Sequence, residues 1–317
     1  MLFVLGASGL GLLALPALAR RAGRRLYPTE WARLCLIAVA GGGAVVELAA
    51  VLYALPTLAT ASHIAVLAVL CHRMLEPLAP GGPAAGWAAT AVAVSLPVLG
   101  WVGWARSRRS ARAARIERWL GRHEAYGCDE LVVLPTDRAV AVSVPVLPGQ
   151  AGRDQIVVSE GLLDTLTPEQ LDAVLRHEVA HLRRGHHHHL AVAAVVDHAF
   201  AWFPPTRAST ATLRLALERS ADEEAASTCG DRDVVREALV AVTASLVAGP
   251  GLAAFSAAET IGERLHALDD VPPHPRFASH LLLYCPGAVL GAVALAAVWS
   301  WGTGASAVLS MAGTCFS

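Results

Sequence analysis

The sequence predicts an α-helical integral membrane protein with four spans and one mainly α, α+β globular domain that carries a small β-sheet. Three observations predict it. The 317 residues are 55% hydrophobic and 16% charged, against about 25% charged for an ordinary soluble domain. Apolar runs at residues 2–19, 33–55, 84–105 and 279–301 approach or reach the roughly 20 residues a helix needs to cross a bilayer core. Between the third and fourth runs the pattern changes to short β-branched segments followed by amphipathic helices. The chain therefore divides into three spans with their loops (1–105), a basic collar (106–118), the globular domain (119–275), and a last span with a short tail (276–317).

The first run ends in Ala17-Leu18-Ala19 and is followed at once by Arg20, Arg21, Arg24 and Arg25. A cleaved signal peptide is the competing reading, but a positive leading segment is missing and the arginines lie on the wrong side. The second run contains Glu47. An intramembrane carboxylate is by default a functional candidate, with packing against neighbouring helices as the plainer account. Residues 58–75 are interrupted by His63, His72 and Arg73. The positive-inside rule puts the Arg20 to Arg25 loop and the collar both in the cytoplasm, so two spans separate them and 58–75 lies on the outer surface or extends the second helix. The expectation is a multi-pass plasma-membrane protein in contact with the lipid bilayer, its domain cytoplasmic and both termini outside.

Within the domain, residues 129–135, 139–146 and 155–159 read as strands. A short helix at 159–166 leads to a longer one with Thr167 as N-cap, Pro168 in its first turn and Gln170 completing a capping box. The apolar stretch 190–205 stops at Pro204 and Pro205, too short to cross, and should pack on the domain or lie along the membrane interface. Helices follow at 208–229, 231–247 and 257–268. Every basic residue is Arg, the net charge is −1, and no basic stripe is interleaved with aromatics, so no nucleic-acid partner is expected. The six cysteines are scattered without a C-x-x-C pair and suggest neither a disulfide framework nor a thiolate metal site.

The longer helix carries His177, Glu178 and His181 as a His-Glu-x-x-His unit. Residues four apart share a helix face, so both imidazoles can reach one metal ion, Zn2+, with Glu178 beside it as general base. A catalytic zinc needs a third protein ligand and an open position for water. Glu218, on the later helix with Asp222 four residues on, is the candidate ligand, and Asp222 would orient a ligand imidazole. The rival is His187, at the last position of H-E-x-x-H-x-x-G-x-x-H, although Arg184 stands where that pattern needs glycine. The run His186 to His189 otherwise reads as solvated or adventitiously metal-binding. An extended protein or peptide substrate would add to a strand edge formed by Ala139, Val140, Ala141, Val142, Ser143 and Val144.

With these residues placed, the chain resembles the BlaR/MecR-type antirepressor membrane metallopeptidases, which are gluzincins, and more distantly the HtpX and CAAX-prenyl protease families. The likeness is sharpest over residues 156–186 and 217–226. It implies a zincin-like fold, one zinc ion held by His177, His181 and Glu218, Glu178 as the base of peptide hydrolysis, and Arg264 at a place where the family carries an arginine, as a catalytic donor to the oxyanion or as a structural ion pair. It also implies regulated cleavage of a cytoplasmic, BlaI-like repressor. Sensor members continue into a penicillin-binding domain after the last span, which these residues do not include, so direct β-lactam sensing is not expected. Quality-control proteolysis of membrane proteins, a non-catalytic signalling scaffold and a metal transporter remain as alternatives. The transporter should place several polar ligands within its spans, where Glu47 stands nearly alone.

Overall fold

The computed structural model describes residues 2–62, 82–117, 121–126, 129–146, 153–247 and 253–270. The predicted span at 279–301 and most of 58–75 lie outside them. The described elements are α1 (Leu2–Leu18), α2 (Arg20–Gly23), α3 (Pro28–Ala61), α4 (Pro83–Glu117), β1 (Arg122–Tyr126), β2 (Asp129–Leu134), β3 (Ala141–Val144), β4 (Gln155–Ser159), α5 (Glu160–Thr165), α6 (Pro168–Arg183), α7 (His186–Ala199), α8 (Pro204–Cys229), α9 (Arg232–Val247) and α10 (Ala253–Asp269).

Two helices, Pro28–Ala61 and Pro83–Ser107, are long and apolar enough to cross a membrane. Their outward faces carry Leu48, Val51, Trp87, Val94 and Trp101, all exposed, as lipid-facing helices would. The 17 residues of α1 make a rod of about 25 Å, short of the roughly 30 Å hydrocarbon thickness. It lies in close contact with α3. A Cβ on Gly9 would come 2.9 Å from the Gly42 carbonyl oxygen, and one on Gly42 would come 2.8 Å from that of Gly9, so small residues set this crossing. Helix α3 starts at Pro28 and runs to Ala61, beyond the expected segment at both ends. Helix α4 runs without a break through the collar as far as Glu117, because its arginines and alanines are good helix formers.

The sheet has the order β1-β2-β4-β3, with β2 and β4 parallel and the outer pairings antiparallel. Three strands match the sequence expectation. The missed one, β1, reads Arg-His-Glu-Ala-Tyr and lacks a β-branched residue. One sheet face turns Val133, Ala139, Ile156 and Val158 onto Leu175 and Leu182 of α6. The other gathers Val132, Val144 and Val157. The N-terminus of α6 is held by the expected capping box: Thr167 Oγ1 accepts from the Gln170 N–H, and the Gln170 side chain accepts from the Thr167 N–H.

The stretch at 190–205 packs on the apolar helices. Val196, Ala199 and Phe200 of α7 and its C-terminal end pack among Leu13, Val39, Val46 and Leu96 of α1, α3 and α4, and the chain returns as α8. That helix buries Leu213, Ala216 and Leu217 on Trp31 and Cys35 of α3. The α7–α8 hairpin thus stands inside the helix bundle. Its apolar residues face several directions, which no single interfacial surface could satisfy.

Candidate metal centre

Helix geometry brings His177 and His181 to one face of α6, opposite Glu218 on α8. The Nε2 atoms of the two imidazoles lie 3.1 Å apart. Glu218 closes a triangle, with Oε2 3.5 Å from His177 Nε2 and Oε1 3.6 Å from His181 Nε2. A tetrahedral zinc with bonds of about 2.1 Å needs donor atoms about 3.4 Å apart. Among the described residues this is the group of three or more potential ligands whose donor atoms converge. The donor set of two imidazoles and a carboxylate fits zinc, and Glu178 lines the same cavity.

Behind the triangle, the His177 Nδ1–H donates to Asp222 Oδ1 at 2.9 Å. Asp222 is 3% exposed, and Arg264 from α10 grips it with two hydrogen bonds, Nε to Oδ2 at 2.8 Å and Nη2 to Oδ1 at 2.7 Å. The same guanidinium reaches Glu218 Oε2 through Nη1 at 3.0 Å. Arg264 is therefore occupied in holding the two carboxylates. Burial alone would push Asp222 upward, but Arg264 and His177 hold it well below the usual carboxylate range. Burial likewise opposes the Glu218 charge, and His177 and Arg264 bring its pKa down to about 2. For His177, desolvation disfavours the imidazolium, and Asp222 and Glu218 override it, raising the pKa to about 10. With no metal on its Nε2, His177 would hold a proton on the nitrogen that faces Glu218.

His186 is the residue sequence reasoning missed. It is 2% exposed, and its Nδ1 lies 2.9 Å from His181 Nδ1. Gly185, at φ 63°, supplies the left-handed turn that folds α7 back and delivers this ring. Burial and the neighbouring histidines lower its pKa to about 3, so it is neutral and accepts the Nδ1 proton of a His181 whose Nε2 faces the triangle. The signal was Gly185 itself, two residues past the end of α6. His187 lines the cavity without joining the triangle. Next to the site, Glu223 is held by Arg232 at 2.9 Å and Glu224 by Arg184, so neither is a loose acidic helix end.

The triangle opens on a cavity of about 500 Å³. One wall is β3 and its approach, with Ala139, Val140, Ala141, Val142, Ser143 and Pro145; Val144 turns to the opposite sheet face. The other wall is apolar, from Val174, Val235, Leu239 and Val242. β3 is a sheet edge. The Ser159 N–H donates to the Val140 carbonyl, so by antiparallel alternation residues 140, 142 and 144 aim their backbone groups at β4, and Ala141 and Ser143 aim theirs outward.

Residues 146–209 match the family model of Peptidase family M48, over the stretch that runs from before β4 through α6 and α7 into α8. That stretch includes His177, Glu178 and His181 and stops short of Glu218. Searches of the curated proteins and of the solved structures find no match. M48 peptidases are zinc metalloproteases, and the match takes in the helix that carries both histidines.

Proposed function

We propose that the protein is a membrane-embedded zinc endopeptidase that cuts extended protein segments laid along β3. The observation that carries this reading is the donor triangle of His177, His181 and Glu218, facing a sheet edge whose outward backbone groups at Ala141 and Ser143 are available for pairing. Bound zinc would supply a polarised carbonyl and a water acidified toward a pKa of about 7. Glu178, which lines the cavity, would accept the proton of the attacking water on its carboxylate and return it to the departing amine. His177 and His181 are kept in register by Asp222 and His186, and Arg264 fixes Asp222 and Glu218 against each other. The substrate class is protein. A cytoplasmic BlaI-like repressor, the role the resemblance implies, and a damaged membrane protein both offer the extended strand this edge takes.

Glu178→Gln tests the reading. Zinc content should stay at one per chain while cleavage of a co-expressed substrate falls by about 10²- to 10⁴-fold. Cleavage at the wild-type rate in a zinc-loaded variant would sink it. Co-expressing a neighbouring-gene repressor in one strain and a misfolded membrane protein in another separates the two physiological roles.

A further inference from the structure

Apart from the metal centre, the foot of α1 forms a cleft of about 430 Å³ lined by Ala17, Leu18, Arg20, Arg21, Arg24 and Glu263. Three guanidiniums face one carboxylate. Arg20 and Arg24 both donate to the same oxygen, Glu263 Oε1, the second at 2.8 Å. Arg21 is exposed and has no carboxylate within ion-pair distance among the described residues. A fourth guanidinium, Arg219 of α8, comes up behind. Its Nη2 contacts the Arg24 carbonyl at 3.5 Å, and its Nε is buried without a hydrogen-bond partner among the described residues. The cleft therefore has an excess of cationic forks of the kind that pair with phosphate oxygens.

The same end of α1 is greasy. Leu18 is 81% exposed and Leu15 46% exposed, so apolar surface continues outward from the arginines along the helix. A free anion would use the guanidiniums and leave the leucines bare. A phospholipid satisfies both, with its phosphate among the arginines and an acyl chain along α1. In the membrane-embedded arrangement proposed above, on which this inference rests, the arginines at the foot of α1 would lie at the cytoplasmic leaflet, where basic pockets between apolar helices suit anionic headgroups.

We propose that this cleft binds the phosphate headgroup of an anionic phospholipid of the inner leaflet. The site is separate from the metal centre but mechanically close, since Glu263 adjoins Arg264, which clamps Asp222 and Glu218.

The test uses the full-length protein in a neutral detergent, titrated with dioleoyl-phosphatidylglycerol, dioleoyl-phosphatidylcholine and inorganic phosphate, and followed by native mass spectrometry. Phosphatidylglycerol should bind at least about tenfold more tightly than phosphatidylcholine. Arg21→Gln, which leaves both Glu263 ion pairs intact, should weaken it about fivefold. Leu18→Asn should weaken phosphatidylglycerol while leaving any phosphate binding unchanged. Arg138→Gln, an equal loss of charge on the exposed surface of the sheet domain, should do nothing, and melting temperatures should match throughout. Equal binding of the two lipids overturns the proposal, as does wild-type affinity in Arg21→Gln. Displacement of phosphatidylglycerol by phosphate at the same concentration would replace the lipid by a free anion.

Discussion

His186 and Asp222 perform matching tasks behind the two imidazoles, one as a neutral ring and one as a buried carboxylate. Losing such a partner typically costs about 10- to 100-fold in metal affinity, so His186→Ala should weaken zinc binding by that range without loss of helix signal. A competition titration with a chromophoric chelator reads it, and unchanged affinity would reduce His186 to packing. Glu218→Ala should lose stoichiometric zinc and His187→Ala should keep it; the reverse result would make His187 the third ligand. The metal-free proton balance gives a further expectation. With His177 raised to about 10, zinc uptake at pH 7 must expel about one proton, seen as a dependence of calorimetric heat on buffer ionisation. The raised His177 pKa stabilises the metal-free fold fully below about 6.5 and loses that contribution as pH rises through about 10. The lowered Glu218 pKa does so above about 4.5 and loses it as pH falls through about 2. Chelator-treated protein should therefore melt highest between those two limits. The meeting of His177 and His181 was legible because helical period alone brings them together on α6, and the four-residue spacing of Glu218 and Asp222 on α8 pointed to one face. His186 was not, because a run of four histidines looks like a solvated tract until the turn at Gly185 buries the first of them.

At the level of elements, the capping box and the edge strand are the two features a single substitution can address. Thr167→Ala removes the acceptor of the Gln170 N–H and should cost about 1 kcal/mol in denaturant unfolding. Ser143→Pro deletes an outward N–H but no ladder bond to β4, a position where sheets tolerate proline. If the substrate pairs there, the variant should keep its zinc and its fold yet lose roughly threefold to tenfold in kcat/KM, the worth of one hydrogen bond. A larger loss of stability than of activity would mean that β3 is structural only. Strands β2, β3 and β4 were readable from β-branched runs. β1 was not, since its pairing with β2 is a tertiary choice that Arg122, His123 and Glu124 do not advertise. The fate of 190–205 was hidden for a related reason: length excluded a crossing, but only the surfaces of α1, α3 and α4 decide that the segment enters the bundle and comes back.

Across the whole molecule, the boundary between apolar helices and metal domain is a boundary in composition and not in packing. Helix α8 serves both. Its middle buries Leu213, Ala216 and Leu217 on α3, and the turns that follow present Glu218 and Asp222. Expressed alone, residues 119–275 should fail to fold and should bind no stoichiometric zinc; a soluble, zinc-binding fragment would refute this. Hydropathy could foresee the apolar helices and the arginine-rich loop, but not that a helix of the polar domain would be shared with them. That sharing also fixes a height. Thr29 Oγ1 in the first turn of α3 lies 2.8 Å from Ser220 Oγ, two residues beyond Glu218. In the membrane-embedded peptidase proposed above, the metal centre would stand at a constant elevation relative to the first turn of α3. On that proposal, selection would follow a ruler as well as a pocket: a tethered segment would be cut where its linker, at about 3.3 Å per extended residue, first reaches that level, and shortening the linker should move the cut residue for residue.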